Sequence, residues 1–195
     1  MADLILGSTT AISESGGTVT LAGTLGSGIT YPTGVVISTW GVIVTANTAT
    51  YSNHTNWESI AGMSLATTPI RLNSDFFVNA MVHIGGQTNF EAEVRLQRKR
   101  NANGWEDGPI GDANSSNTRA TIASKYDNSN ANDVFSKSLC LLDKDQSYTL
   151  ATDAIQYRLQ WRTHNTNVVL NKSYSGTGAE MTTGISTIVV QEIAG

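Results

Sequence analysis

Apolar and polar residues alternate in several short stretches of the chain, and this alternation predicts β-strands. The clearest stretch is AIQYRLQWRT, residues 154–163. Its apolar positions are Ile155, Tyr157, Leu159 and Trp161, and its polar positions are Gln156, Arg158, Gln160 and Arg162. Because successive side chains of a strand point to opposite faces, this segment is predicted to be an antiparallel strand with one buried face.

A second stretch, FEAEVRLQR (residues 90–98), repeats the same pattern. Its predicted inward residues are Phe90, Ala92, Val94 and Leu96, and its outward residues are Glu91, Glu93, Arg95 and Gln97. Further strands are predicted at 34–45, 75–84, 119–124, 134–142, 167–174 and 185–193. Gly41 is predicted to form a bulge in the first of these. No stretch keeps a helical period, so the chain is predicted to be all-β.

Composition narrows the fold class. The chain has 195 residues and 39% apolar content, which is enough for one domain with a sizeable core. Only 14% of its residues are charged, and turn-forming segments such as NANG and NTN separate the predicted strands. About eight short strands joined by such turns are typical of a two-sheet β-sandwich of the jelly-roll type.

The first 31 residues differ from the rest and are predicted to form an extended N-terminal arm, followed by the domain at 32–195. No Lys or Arg precedes Arg71. The apolar residues of the arm stand in islands between Gly, Ser and Thr, namely Leu4, Ile5, Leu6, Val19 and Leu21. Such islands are not expected to cover one another in a hairpin of their own. The segment is therefore either disordered or adds strands to another surface, and the alternation in GTVTLAG favours the second interpretation.

Metal and thiol chemistry find little support in the sequence. The three histidines, His54, His83 and His164, are far apart and show no metal-ligand spacing. The one cysteine, Cys140, lies in the apolar run LCLL and is predicted to be a buried small hydrophobe. We therefore expect no metal site and no cofactor.

Catalytic motifs are also absent from the sequence. There is no nucleophile elbow, phosphate-binding loop or dinucleotide fingerprint. The carboxylate pairs Glu106/Asp107 and Asp143/Asp145 stand in turn-like contexts, where Asp commonly bonds its own backbone. The protein is expected not to be an enzyme.

The charge pattern argues against nucleic acid and membrane partners. The formal net charge of −4 is unsuited to a general nucleic-acid binder. The basic cluster RLQRKR, residues 95–100, has the charge to contact phosphate, but it is interpreted in preference as the solvated end of a strand or as a partner of Glu91 and Glu93 on a neighbour. The start of the chain lacks the features of a signal peptide, and its longest apolar stretch is too short and interrupted to span a membrane. A soluble protein is expected.

Several segments from Pro32 to Gly195 resemble a group of small tailed-phage virion proteins whose C-terminal domain is a C1q/TNF-like jelly roll. The segments are YPTGVVI (31–37), EVRLQR (93–98), GDANSSNTRAT (111–121), LLDKDQSYTLATDAIQYRLQWR (141–162), VVLNKS (168–173) and STIVVQEIAG (186–195). The opening LILGSTTAISESGGTVTLAGT (4–24) is also similar to the N-terminal stretch of these proteins. The chain departs from the group in the loop RKRNANGWEDGPIG (98–111), so contacts made there cannot be transferred.

The resemblance implies a homotrimer with the final strand in the inner sheet, near the threefold axis. Little alternation is visible in STIVVQEI, which fits burial on both faces. The residues expected at the trimer interface are Ile188, Val189, Val190 and Ile193. No catalytic residue is implied.

Two functions remain open. The first is a trimeric capsid decoration or cement protein, located in the virion, whose arm binds the major capsid protein or another virion protein through the five apolar residues named above. The second is a tail or head fibre protein that binds a host surface glycan or protein. Its candidate receptor contacts are Trp105, Asn101, Asn103 and Asp107, since sugar sites favour an aromatic ring beside amide and carboxylate groups. The first function is favoured, because only about 30 residues precede the domain and a fibre usually needs a shaft.

Overall fold

All regular structure in the described part of the chain is β-strand. The structure is a computed structural model, and it describes residues 4–6, 9–15, 18–21, 32–47, 50–52, 56–71, 73–87, 90–101, 103–112, 119–125, 133–144, 154–164, 167–175 and 183–195. The strands are β1 Leu4–Leu6, β2 Thr9–Ser15, β3 Thr18–Leu21, β4 Val36–Val44, β5 Thr50–Ser52, β6 Glu58–Thr67, β7 Asp75–Gly86, β8 Glu91–Arg100, β9 Glu106–Asp107, β10 Ile122–Lys125, β11 Val134–Asp143, β12 Ile155–His164, β13 Asn167–Leu170 and β14 Ser186–Ile193.

The N-terminal unit, Met1–Pro32, contains a three-stranded antiparallel sheet in the order β1-β2-β3. The register pairs Ile12 with Leu4 on one side and with Leu21 on the other. The prediction that this segment forms no hairpin of its own is therefore wrong, because a third strand completes a small meander. Leu4, Ile5 and Leu6 lie on β1, and Val19 and Leu21 lie on β3.

The second unit, Thr33–Gly195, is a sandwich of two antiparallel sheets. The five-stranded sheet has the order β10-β8-β12-β6, with β9 paired to β8. The six-stranded sheet has the order β4-β14-β7-β13-β5, with β11 paired to β7. Among the described strands, the chain passes from one sheet to the other between β5 and β6, β6 and β7, β7 and β8, β10 and β11, β11 and β12, and β12 and β13. This alternation between layers confirms the predicted jelly-roll sandwich.

The core lies between the two sheets and is filled by the apolar sets that alternation predicts. Ile155, Tyr157, Leu159 and Trp161 of β12 and Phe90, Ala92, Val94 and Leu96 at β8 are all buried, as predicted. Phe76, Val78 and Ala80 of β7 and Ile188 and Val190 of β14 face them from the six-stranded sheet. All six of the further predicted strands are present, with ends that differ by a few residues.

Two local predictions on the six-stranded sheet are wrong. The pairing of β4 with β14 runs without interruption through Gly41, and the irregularity lies between Glu192 and Ile193 instead. Cys140 is exposed rather than buried. It lies on β11, where Leu139 faces the core, so strand alternation turns the neighbouring thiol outward.

A buried carboxylate fixes the turn between β6 and β7. Glu192 on β14 is fully buried. The backbone amide of Ile70 donates to its two carboxylate oxygens at 3.1 and 2.9 Å, and the amide of Arg71 donates at 2.9 Å. The hydroxyl of Ser74 adds a fourth hydrogen bond at 2.9 Å. This carboxylate is thus satisfied by the loop that wraps around it, as a buried charge requires.

Candidate functional site

One broad surface of the domain is the outward face of the six-stranded sheet, across β4, β14, β7 and β11. Cross-strand register aligns its residues in three rows: Ile43, Thr187, Met81 and Ser138; Gly41, Val189, Asn79 and Cys140; and Thr39, Gln191, Phe77 and Leu142. None of these twelve residues is charged and none is fully buried. Ile43 has 68% of its surface exposed and Leu142 has 41% exposed. We call these twelve residues the uncharged face.

The residues predicted for the trimer interface divide between the two sides of β14. Ile188 and Val190 are fully buried in the core of their own domain. Val189 and Ile193 are half-buried and lie on the opposite side of the strand. The strand therefore alternates regularly, and its outward positions are the ones that a second copy would contact. The interface itself stays a prediction.

The second surface is the outward face of the five-stranded sheet, where two arginines lie against two tryptophans. The guanidinium carbon of Arg95 on β8 lies 4.5 Å from the ring centroid of Trp57, which immediately precedes β6. The guanidinium carbon of Arg158 on β12 lies 4.1 Å from the ring centroid of Trp105, which immediately precedes β9. Both distances are those of cation–π contacts. We call these four residues, with the polar groups bonded to them, the Arg–Trp face.

Amide side chains fix both guanidinium groups. Arg95 donates from Nε and Nη2 to Oε1 of Gln160 at 2.9 and 2.7 Å. Arg158 donates from Nε and Nη2 to Oε1 of Gln97 at 3.0 and 2.7 Å. These two pairs are directly opposite one another in the register of β8 and β12. Each pair of hydrogen bonds fixes the plane of its guanidinium, and the guanidinium in turn fixes the position of the tryptophan ring that contacts it.

Asp107 on β9 connects the two halves of the Arg–Trp face. It pairs with Nη1 of Arg95 at 3.1 Å, and it accepts a hydrogen bond from Nε2 of Gln97 at 2.9 Å. Burial lowers the pKa of Arg95, while Asp107 acts in the opposite direction. Burial also lowers the pKa of Arg158, and the positive charge of Arg95 lowers it further. Among the described residues, no carboxylate pairs with Arg158 to reverse this effect, although both guanidinium groups stay charged at neutral pH.

The four predicted receptor contacts are brought together only in part. Trp105 and Asp107 belong to the Arg–Trp face. Asn101 and Asn103 are exposed in the turn that follows β8, where the amide of Asn103 donates to the carbonyl of Arg100 at 3.0 Å. Asn101 has a φ of 51°, which fits the tolerance of asparagine for this backbone region. These two residues therefore shape the turn that carries Trp105.

Sequence reasoning missed the contribution of Trp57, Arg95 and Arg158 to this site. The alternation of β8 and β12 did place both arginines outward, but their interaction depends on the register between the strands. The basic segment 95–100 is not a solvated strand end. Arg95 pairs with Asp107, Arg98 with Asp143 and Glu106, and Arg100 with Glu106. These three carboxylates were predicted to lie in turns, but Glu106 and Asp107 form β9 and Asp143 is the last residue of β11.

An open cleft of about 330 Å³ lies beside this region and is lined by Arg98, Asp107, Gly108, Pro109, Leu142, Asp143 and Lys144. The lining residues Arg98 and Asp143 bind each other and a core tyrosine. Nη1 of Arg98 donates to Asp143, and the hydroxyl of Tyr157 donates to the other oxygen of Asp143 at 3.0 Å. Because these groups satisfy one another in the core, the cleft offers no arrangement of acid, base and nucleophile among its lining residues.

Within the described ranges, no group of three His, Cys, Asp or Glu residues is placed to hold a metal ion. No helix in those ranges has the length and apolarity to cross a membrane. His83 lies on β7, whereas the surroundings of His54 and His164 fall outside the described side chains. No protein-family model matches the chain, and no curated protein matches it significantly.

Proposed function

We propose that the protein is a structural component of a phage virion, a homotrimeric decoration or cement protein of the capsid. Its jelly-roll domain forms the trimer, and its N-terminal unit, Met1–Pro32, attaches to the major capsid protein or another virion protein. The observation that carries this proposal is the uncharged face. The resemblance of the last strand and of the opening segment to tailed-phage virion proteins supports it.

Self-association is the use that best fits the uncharged face. The centres of protein interfaces are depleted of charged residues, because burying an unpaired charge is costly. Twelve adjacent outward positions on four strands carry no charge at all, whereas the outward face of the other sheet carries several. Val189 lies in the middle row of the uncharged face, between Gly41 and Asn79. A trimer contact centred on this row would bury Ile43 and Leu142, which are exposed in the single chain.

The oligomeric state in solution tests the trimer. We expect light scattering to give three times the chain mass of 20.8 kDa. Val189→Asp places a carboxylate in the middle of the proposed interface and is expected to give folded monomers. Ser64→Asp on β6 is the matched control, because it adds the same charge to an exposed position of the other sheet. A wild-type chain that stays folded and monomeric at micromolar concentration would contradict the trimer.

The position in the virion requires a separate experiment. In a cryo-electron microscopy map of the particle, decoration predicts copies at the local threefold positions of the capsid shell. Copies confined to the tail would instead favour the second candidate function, a fibre that binds a host surface glycan or protein. The Arg–Trp face is the specific observation that keeps this second function open, since it combines aromatic rings with fixed polar groups.

A further inference from the structure

The charge of Arg158 is not balanced within the described part of the chain. Its Nε and Nη2 both donate to the neutral amide oxygen of Gln97, and its ring contact is with Trp105. No carboxylate in the described ranges lies within ion-pair distance of it, whereas Arg95 is paired with Asp107. Within the described ranges, Nη1 of Arg158 has no hydrogen-bond acceptor. A half-buried guanidinium in this situation is a ready partner for an external anion.

The neighbours of Arg158 strengthen its positive potential. Its cross-strand partner on β8 is Gln97, so the next outward positions on that strand are Arg95 and Lys99. Lys99 is half-buried and has no ion pair within the described residues. Three cations therefore surround Gln97, and Asp107 is the carboxylate that lies among them. This region therefore has a local excess of positive charge, although the net charge of the whole chain is −4.

The two tryptophans give this positive patch a second property. Each indole has one face against a guanidinium, and each side chain keeps part of its surface exposed. The exposed part of a fixed indole is a platform for the apolar C–H face of a sugar ring. The guanidinium groups beneath hold the rings in place through the forked contacts to Gln97 and Gln160, so little ordering is needed on binding.

We propose that the Arg–Trp face binds an acidic saccharide, with the anionic substituent on Arg158 and Lys99 and the sugar rings stacked on Trp105 and Trp57. This inference deepens the second candidate function and rests on it, and it does not depend on trimer formation or capsid attachment. It also moves the contact surface from the exposed turn at Asn101 and Asn103 to the sheet face.

The experiment measures binding of defined oligosaccharides to the full chain by titration calorimetry and by the fluorescence of the tryptophans. Hexagalacturonate is compared with its fully methyl-esterified form, which has the same rings without the charge. A sulfated galactan hexasaccharide is compared with its desulfated form in the same way. We expect at least one acidic sugar to bind at least about tenfold more tightly than its neutral counterpart, as expected for a charge-assisted hydrogen bond.

Variants then assign the binding to the named residues. Arg158→Gln and Trp105→Ala are each expected to weaken binding of the acidic sugar by about tenfold or more. Arg158→Lys and Trp105→Phe keep the charge and an aromatic ring respectively, and they are expected to retain part of the affinity. Lys172→Gln is the matched charge control, because Lys172 lies outside the Arg–Trp face, and it is expected to bind like the wild type. Thermal unfolding shows whether each variant is folded.

Several outcomes would overturn the inference. One is the absence of saturable binding of both acidic sugars at millimolar concentration by a folded protein. Others are equal affinity for the acidic and neutral forms, unchanged affinity in folded Arg158→Gln, and equally tight binding of inorganic sulfate without the sugar. Tighter binding of a single-stranded oligothymidylate than of either sugar would assign the face to nucleic acid instead. Loss of sugar binding in a protein that remains trimeric would leave the proposed capsid function intact.

Discussion

Arg98 on β8 donates a hydrogen bond from Nη1 to Asp143 on β11, and this ion pair joins the two sheets of the sandwich inside the core. Both residues are buried, and the hydroxyl of Tyr157 on β12 completes the cluster. Nε of Arg98 also reaches Glu106 at 3.3 Å, which ties β9 to the same cluster. The pair therefore closes the core at the end of the domain that carries the Trp105 turn.

Removing Asp143 is expected to destabilise the domain strongly. Asp143→Ala leaves the Arg98 guanidinium buried beside Tyr157 without its principal acceptor, and the expected loss is about 3–5 kcal/mol in the free energy of unfolding. Urea denaturation followed by circular dichroism measures it. The double variant Arg98→Met, Asp143→Leu replaces both charges by apolar groups and should recover much of the loss. A single variant as stable as the wild type would show that the pair is not coupled to folding.

Glu192 is expected to be important for stability through the turn at Ile70 and Arg71. Glu192→Ala removes the acceptor of two backbone amides and one hydroxyl, and we expect a loss of about 3 kcal/mol because several donors lose their partner at once. Glu192→Gln keeps one carbonyl oxygen and should lose less. Chemical denaturation compares the two variants, and amide hydrogen exchange at Ile70 and Arg71 reports on the turn itself. Unchanged exchange at these amides in Glu192→Ala would contradict this role.

Tyr51 gives the stability a dependence on alkaline pH. Burial, with a contribution from the charge of Glu58, raises the pKa of its hydroxyl above the ordinary value of 10.0, while Arg162 acts in the opposite direction. The neutral phenol is therefore favoured in the folded state, where it donates to the carbonyl of Asn56 and stacks on Trp161 with ring centroids 5.8 Å apart.

The stability that comes from this shift is fully present below the unfolded pKa, and it is lost as the pH rises through the raised folded value. Tyr51→Phe has no hydroxyl to ionise. Above pH 10.0 the wild type is expected to lose stability faster than Tyr51→Phe, as measured by denaturant unfolding across that range. Parallel pH profiles for the two proteins would argue against the shift.

Deletion of Met1–Ser27 is expected to leave the jelly-roll domain folded and trimeric while abolishing attachment to the particle. The boundary between the two compact units, at Pro32 and Thr33, supports the first part of this expectation. Particles that lack the protein are mixed with truncated or full-length chains and then sedimented. Equal co-sedimentation of both forms would assign attachment to the jelly-roll domain.

Strand alternation was enough to predict the sandwich and most of its core, but β6 was missed for a local reason. Its buried residues Ile60, Met63 and Leu65 do not follow a period of two, because extra residues around Gly62 bulge out of the pairing with β12. Gly62 has a φ of 78°, which a glycine adopts without strain. A bulge of this kind breaks the pattern by which a strand is recognised in sequence.

Of the Arg–Trp face, only Trp105 and Asp107 were predicted from the sequence as contact residues. Trp105 and Asp107 stood out because they lie together in an unusual loop. Arg158 and Gln97 are 61 positions apart, and their contact follows from the register of two strands that nothing in either segment fixes alone. Trp57 was missed for the same reason, since it reaches Arg95 only after β6 has paired with β12.

The exposed position of Cys140 gives the domain a built-in chemical reporter. The thiol lies in the middle row of the uncharged face, in line with Asn79, Val189 and Gly41 across the sheet. It is the single cysteine of the chain, so a maleimide or a spin label attaches at one place without any substitution. Its alkylation is expected to be fast when that face is open to solvent and slow when the face is covered. The same measurement applies to the purified protein and to the intact particle.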